Sequence, residues 1–287
     1  MGFGLLYFHS FYTDIYQISM DSKEVQQLMN QVADETFDSF AENSIVQIVV
    51  KDEKTGDPLV WVIPEVLSAE QCDSVIKKAE AAGMAPAVWA SGSLRTSKRT
   101  SKYVDEDLSD LAVSQLSPDF INKLQESDGL SVNGLHSNWR IVRYDPGDYF
   151  CPHYDQSDIT KPMNVDGSKD FYFSSHTLII NLTSNMADLK GGATRFYPNR
   201  DYSKAIDVSV PRGWAIAFKQ QGMLHAGHQV ISGTKYVAQA GLMRLLPPGQ
   251  IHKPSTFRNG PGLEQAAIEH TQKLRSEGKL NALFDYS

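Results

Sequence analysis

Between residues 137 and 246 the chain is a succession of short runs rich in β-branched and aromatic residues: 139–144, 149–154, 177–182, 193–197, 205–210, 214–218 and 235–245. Glycine or proline stands at nearly every junction, and strands at this spacing predict a sandwich or barrel with any helices packed outside. Hydrophobic residues make up 41% of the chain and charged ones 21%, which supplies a sizeable core and sits far from the composition of disorder. At 287 residues, with no internal repeat, the economical organisation is one domain with helical additions.

The lead-in is more helical. Residues 21–42 place Val25, Leu28, Met29, Val32 and Phe37 at helical spacing, which predicts an amphipathic helix. Residues 45–50 and 59–63 read as strands around the turn Gly56, Asp57, Pro58 and are expected to pair as a hairpin. Ser68-Ala69-Glu70-Gln71 is a capping box whose helix stops at Gly83. Further helices are expected near 105–115, from Pro118 to about residue 126, and over 263–277. The boundaries that follow are a poorly patterned extension (1–20), a helical and strand lead-in packing on the core (21–136), the β core (137–246) and a helical extension (247–287). Within the core, residues 156–175 form a long, polar, turn-rich connection, the mark of a functional lid or a mobile insertion.

Charge and cysteine content exclude several classes of function. Thirty-four acidic against 27 basic residues leave a net charge of -7, so no broad basic surface exists to release counterions from nucleic acid. Cys72 and Cys151 build neither a disulfide framework nor a CxxC pair, which suits a reducing, intracellular compartment such as the cytoplasm. The first twenty residues lack the basic start of an export signal, and no run of about 18 apolar residues could span a bilayer.

The chemistry begins at Pro152-His153-Tyr154-Asp155. Two residues apart on a strand, an imidazole and a carboxylate emerge on one face, although a solvated strand with two outward polar residues reads the same way. A second imidazole from residues 224–235, His225 or His228, would complete two histidines and one carboxylate, the set that holds non-haem Fe(II) with open positions left over. Ten residues past His225, Lys235 is a lone cation ahead of Tyr236, Val237 and Ala238, where an unpaired ammonium is costly to bury and calls for an anion. The distal carboxylate of 2-oxoglutarate would be such a partner.

Taken in order, Tyr144-Asp145-Pro146-Gly147, His153-x-Asp155, Gly191-Gly192-Ala193-Thr194-Arg195-Phe196, His225-x-Gly227 and Gly233-Thr234-Lys235 resemble the prolyl 4-hydroxylase-like branch of the Fe(II)/2-oxoglutarate-dependent dioxygenases. The resemblance covers about residues 137–246, and residues 59–83 resemble that family's lead-in strand and helix. It implies a mainly β fold with flanking helices, a double-stranded β-helix or jelly roll with iron between its sheets. It further implies His153, Asp155 and His225 as iron ligands, Lys235 as anchor of the cosubstrate, and Tyr144 beside it. Asn181 stands where many relatives carry a tyrosine, leaving Thr177 or Thr194 to supply the second hydrogen bond to the cosubstrate. Fe(II), 2-oxoglutarate and O2 are the implied cofactors and cosubstrates, with ascorbate besides. The implied reaction hydroxylates an unactivated C–H bond, of a prolyl or other side chain in a protein or peptide, with release of succinate and CO2. The same chemistry on a small molecule, and a non-catalytic jelly-roll binding protein, are the alternatives. Gly241 replaces a tryptophan common in collagen-type enzymes, and the export signal and cysteines of those enzymes are missing, so collagen is not the expected substrate.

Other positions carry two readings each. The ten-residue step to Lys235 favours His225 over His228, which is assigned to the surroundings of the site or to the surface. His176 is read as a strand-end polar residue, and His9, His136, His252 and His270 have no partner in sequence. Gly191-Gly192 is read as a tight turn without room for a side chain. Arg140 lies in phase with Tyr144, facing either the cavity or an exposed sheet face. Arg95, Lys98, Arg99 and Lys102 form a solvated loop or one that closes over an acidic substrate.

Overall fold

Strand alternation organises the protein. The computed structural model describes residues 46–87, 95–100, 103–157, 159–160, 171–201 and 204–246, all within the unit Ser44–Ser287. The helices expected at 21–42 and 263–277, the extensions 1–20 and 247–287, and residues 161–170 of the long connection lie outside the described residues.

The lead-in contains β1 (Gln47–Lys51), β2 (Pro58–Ile63), α1 (Ala69–Ala82), β3 (Ala85–Pro86), β4 (Lys98–Arg99), β5 (Tyr103–Val104), α2 (Glu106–Gln115), α3 (Pro118–Asp128) and β6 (Val132–Leu135). The core contains β7 (Asn138–Tyr144), β8 (Phe150–His153), β9 (Ile159–Thr160), β10 (Phe171–Asn181), β11 (Lys190–Gly191), β12 (Thr194–Tyr197), β13 (Ile206–Val208), β14 (Ala215–Lys219), β15 (Leu224–Gly227), β16 (Val230–Ser232) and β17 (Lys235–Leu246). The major sheet runs β1-β2-β14-β10-β17-β7-β4-β3, and the minor sheet runs β13-β12-β15-β8. Facing each other, they make a jelly roll.

Alternation along the major sheet separates structure from chemistry, because successive side chains point to opposite faces. On the outer face Trp139 and Ile141 of β7, Leu178 and Ile180 of β10, Ala215 and Ala217 of β14, and Ala238, Ala240 and Leu242 of β17 join one buried core. The helices cover it with Cys72, Val75 and Ala79 of α1, Leu108 and Ala112 of α2, and Phe120 and Leu124 of α3. Each fully buried aliphatic or aromatic side chain contributes about 1.5–3 kcal/mol. The inner face, toward the minor sheet, carries Val142 and Tyr144, Thr177 and Ile179, Ile216 and Phe218, and Lys235, Val237 and Gln239.

Helix α1 shows how local chemistry places these elements. The Ser68 side chain accepts from the Gln71 amide at 3.3 Å while the Gln71 side chain accepts from the Ser68 amide at 2.7 Å, and Gly83 ends the helix. Ser68→Ala should cost about 1 kcal/mol of stability; a urea midpoint unchanged from the wild type would show the cap to be idle.

Three expectations need correction. Residues 171–175, assigned to the long connection, are the first half of β10, where they pair with β17 and, at Tyr172 and Phe173, with β9. His176 is therefore mid-strand and not at a strand end. It is 3% exposed, edge-on to Trp61 and hydrogen-bonded to Ser175 Oγ at 2.7 Å. Burial first, then Arg244 and Lys219, pull its pKa down to about 3, so it is a neutral core residue. Lys98 and Arg99 are not in a solvated loop either: they form β4, half-buried against β7.

Candidate metal centre and its cosubstrate pocket

The antiparallel register of β8 and β15 sets His153 directly opposite His225, with ring centroids 4.3 Å apart. Each ring is anchored in the same way. Nδ1 of His153 lies 2.8 Å from the Cys151 carbonyl oxygen, and Nδ1 of His225 lies 3.1 Å from that of Met223. A proton on Nδ1 satisfies these carbonyls and turns a bare Nε2 inward, which is how a ligand imidazole is oriented. Asp155 follows just beyond the end of β8, its Oδ1 3.6 Å from His153 Nε2 and its Oδ2 3.9 Å from His225 Nε2. The ligand atoms of the three side chains all lie within 4.8 Å of one another.

The protonation states suit a cation. Burial, followed by the neighbouring His153, lowers the His225 pKa to about 4, against the opposing pull of Asp155 and the Met223 carbonyl, so His225 is a neutral donor at pH 7. Burial alone would raise the Asp155 carboxyl, but His225, His153 and the Thr177 hydroxyl hold it well below the usual carboxylate range. Two imidazoles and one carboxylate, crowded together and almost buried, are a donor set that fits Fe(II).

Thr177, one of the two threonines read as a donor to the cosubstrate, lies against the cluster. Its hydroxyl donates to Asp155 Oδ2 at 2.6 Å, so that proton is committed to the cluster. Gln239 Nε2 donates to the same oxygen at 3.0 Å. Sequence reading did not single out Gln239, although the signal was available: it lies four residues past Lys235 on one strand, hence on the same face. Phe150 and Phe218 were missed as well. Phe150 stacks on His153 with centroids 3.6 Å apart, and the centroid of Phe218 is 4.4 Å from that of His225.

His228 does not join the cluster. It is 1% exposed, so it is not a surface residue, and its Nδ1 lies 3.6 Å from Asp207 Oδ2, a carboxylate already held by the Arg195 guanidinium.

Next to the cluster, a small cavity between the sheets is lined by Ile179, Asn181, Gly192, Thr194 and Lys235, among others. Lys235 stands opposite Tyr144 across β7 and β17, its Nζ 5.9 Å from the ring centroid. The ammonium donates to the Gly192 carbonyl at 2.5 Å and has no carboxylate partner among the described residues. Burial lowers its pKa to about 8. Gly192, at φ +75°, leaves the space that Lys235 uses: a Cβ there would meet Lys235 Cδ at 3.3 Å and Val230 Cγ2 at 3.1 Å. Thr194 is buried on the cavity wall. Asn181 is fixed by its own bonds, donating to the Val210 carbonyl at 2.6 Å and accepting from the Thr183 amide at 3.1 Å. Gly241 has no room for a larger residue, since a Cβ would lie 2.7 Å from Ser174 Cβ.

No helix among the described residues is long and apolar enough to cross a membrane. No curated protein matches the chain. Several solved structures are similar to it at low identity. A viral collagen prolyl hydroxylase of Paramecium Bursaria Chlorella virus-1 shares 22% identity, with 65% of this chain and 96% of that one covered and a TM-score of 0.45. A Pseudomonas putida prolyl-4-hydroxylase shares 13% (64% and 91% covered, TM-score 0.44). A Trichoplax adhaerens prolyl hydroxylase, in complex with a hypoxia inducible factor peptide fragment, shares 14% (78% and 94% covered, TM-score 0.43). The 2OG-Fe(II) oxygenase superfamily model matches residues 139–240, so the stretch that holds His153, Asp155, His225 and Lys235 is similar to that superfamily.

Proposed function

We propose that this protein is a 2-oxoglutarate-dependent dioxygenase that hydroxylates an unactivated C–H bond in a protein or peptide side chain, prolyl among the candidates, and releases succinate and CO2. The observation that carries the reading is a three-residue donor cluster between the sheets and, on the inner face of the major sheet, a buried cation with no carboxylate partner among the described residues. His153, Asp155 and His225 would hold Fe(II), and Lys235 would meet the distal carboxylate of 2-oxoglutarate, with the Thr194 hydroxyl as a second donor. Fe(II) and 2-oxoglutarate together supply the oxygen activation that no side chain provides.

The chain's own contribution is placement. The carbonyls of Cys151 and Met223 keep both imidazoles in the tautomer that presents Nε2, and Thr177 and Gln239 fix the carboxylate. Phe150 and Phe218 exclude water from two sides of the histidines. Tyr144, 8% exposed, closes the wall across from Lys235.

Anaerobic addition of Fe(II) and then 2-oxoglutarate tests this reading through the visible charge-transfer absorption of an iron-chelated keto acid. The band is expected in the wild type and in His228→Gln, and is expected to be lost in His225→Ala. A folded wild-type protein without the band would be a jelly-roll binding protein instead. Thr177→Val, which removes one of the two bonds to Asp155 Oδ2, should weaken Mn(II) or Fe(II) binding about tenfold, the usual effect of losing a partner of a ligand. An unchanged metal titration would show that Gln239 alone positions the carboxylate.

A further inference from the structure

Three arginines gather beside the cluster, Arg140 and Arg99 from the inner face of the major sheet and Arg95 from a bridge to β8. Arg140 stands opposite Gln239 across β7 and β17. Directly opposed residues point to the same side, about 5 Å apart at Cβ, and Gln239 itself touches Asp155. Arg99 stands opposite Val142 across β4 and β7, the next inward position along β7 after Arg140. Arg95 bridges to Phe150, with its Cζ 4.4 Å from the centroid of a ring that in turn stacks on His153. All three are half-buried.

The neighbours on the opposite face show what this protein does with cations meant for structure. Lys98 and Arg143 alternate outward and share Asp145, at 2.7 and 2.8 Å. Arg99 makes no side-chain hydrogen bond or ion pair among the described residues. Burial, and then the charges of Arg95 and Arg140, push its pKa down, so the three groups are close enough to repel. For half-buried Arg99, two like charges nearby and no counter-ion among the described residues cost stability unless an anion arrives.

We propose, resting on the oxygenase reading, that the substrate carries a carboxylate which Arg99, with Arg95 and Arg140, holds beside the metal cluster. Lys235 lies on the same inner face but at the other end of the β7–β17 pairing, opposite Tyr144, so the arginines and the lysine serve two different anions. The guanidinium fork matches a carboxylate through two parallel hydrogen bonds and fixes its orientation, which a single ammonium does not. The carboxylate is an acidic side chain of a peptide or belongs to a free acid, and the test separates these sources.

Calorimetric titration of the anaerobic Fe(II)- and 2-oxoglutarate-loaded protein would compare proline peptides flanked by Asp or Glu with the same peptides carrying Asn or Gln. A parallel arm would compare N-acetylproline with its amide. Acidic probes should bind about tenfold or more tightly than their amides, the effect of one charge-assisted pair. A preference seen in the peptides marks a peptide source, and one confined to N-acetylproline marks a free acid; either supports the proposal. Arg99→Gln should erase the preference, Arg99→Lys should keep part of it, and Lys98→Gln should leave it intact. Equal binding of acids and amides, a preference that survives Arg99→Gln, or no binding of any acidic probe overturns the proposal. Because the keto-acid band is recorded first on the same sample, its absence would indict the oxygenase reading, whereas a band without an acid preference indicts the arginines alone.

Discussion

Asp155→Ala and His153→Ala are each expected to end 2-oxoglutarate turnover while the jelly roll persists. The reasoning is structural on both counts. Asp155 lies past the end of β8 and its side chain holds no strand together; its bonds go to Thr177 and Gln239. His153 is fixed by a carbonyl two residues away, a local contact whose loss does not unpair β8 from β15. Removal of a ligand itself should exceed the roughly 10–100-fold loss of metal affinity that follows from disturbing a ligand's partners. Succinate release, metal stoichiometry and circular dichroism together check the result. Near-normal succinate from either folded variant would disprove the ligand assignment.

Lys235→Ala should separate the cosubstrate from the metal. In the proposed role the lost ammonium would make a charge-assisted contact of about 1.5–3 kcal/mol with a carboxylate, so 2-oxoglutarate should bind roughly 10–100-fold more weakly. Fe(II) affinity should stay within about twofold, because Lys235 is not one of the three clustered side chains. Equal loss of both would count against the assignment. The pKa of Lys235, about 8 against an ordinary 10.5, adds a pH signature. Below pH 8 the ammonium is present and cosubstrate affinity should be flat. Above it, binding must first restore the proton, and affinity should fall about tenfold per pH unit. The sign for folding is opposite. Because the unfolded chain holds this proton more tightly than the folded protein, burial of Lys235 destabilises the fold below pH 8, and the penalty fades as pH rises from about 8 toward 10.5.

Much of the scaffold was legible because its signals are local. The capping box at Ser68 and Gln71, the stop at Gly83, Pro118 at the start of α3 and the turn between β1 and β2 are decided within a few residues, and they stand where the sequence puts them. The start of β10 was not legible, because residues 171–175 are polar or aromatic and become strand only through pairing with β17 and β9. The same holds for β4, a two-residue strand that exists because β7 lies beside it.

The sequence by itself determined which chemistry this protein can carry: an imidazole and carboxylate two apart, another imidazole downstream, and a lysine ten residues beyond it, on a chain patterned for strands. Only the tertiary structure decided what those groups touch. Cross-strand register sets His225 opposite His153, brings Thr177 to Asp155, turns His228 toward Asp207, and draws Arg95, Arg99 and Arg140 together from two strands and a bridge. The physical reason is that period-two alternation within a strand reports which face a side chain shares, whereas the identity of its neighbour depends on pairing between segments distant in sequence, as Asp155 meets Gln239 from 84 residues away.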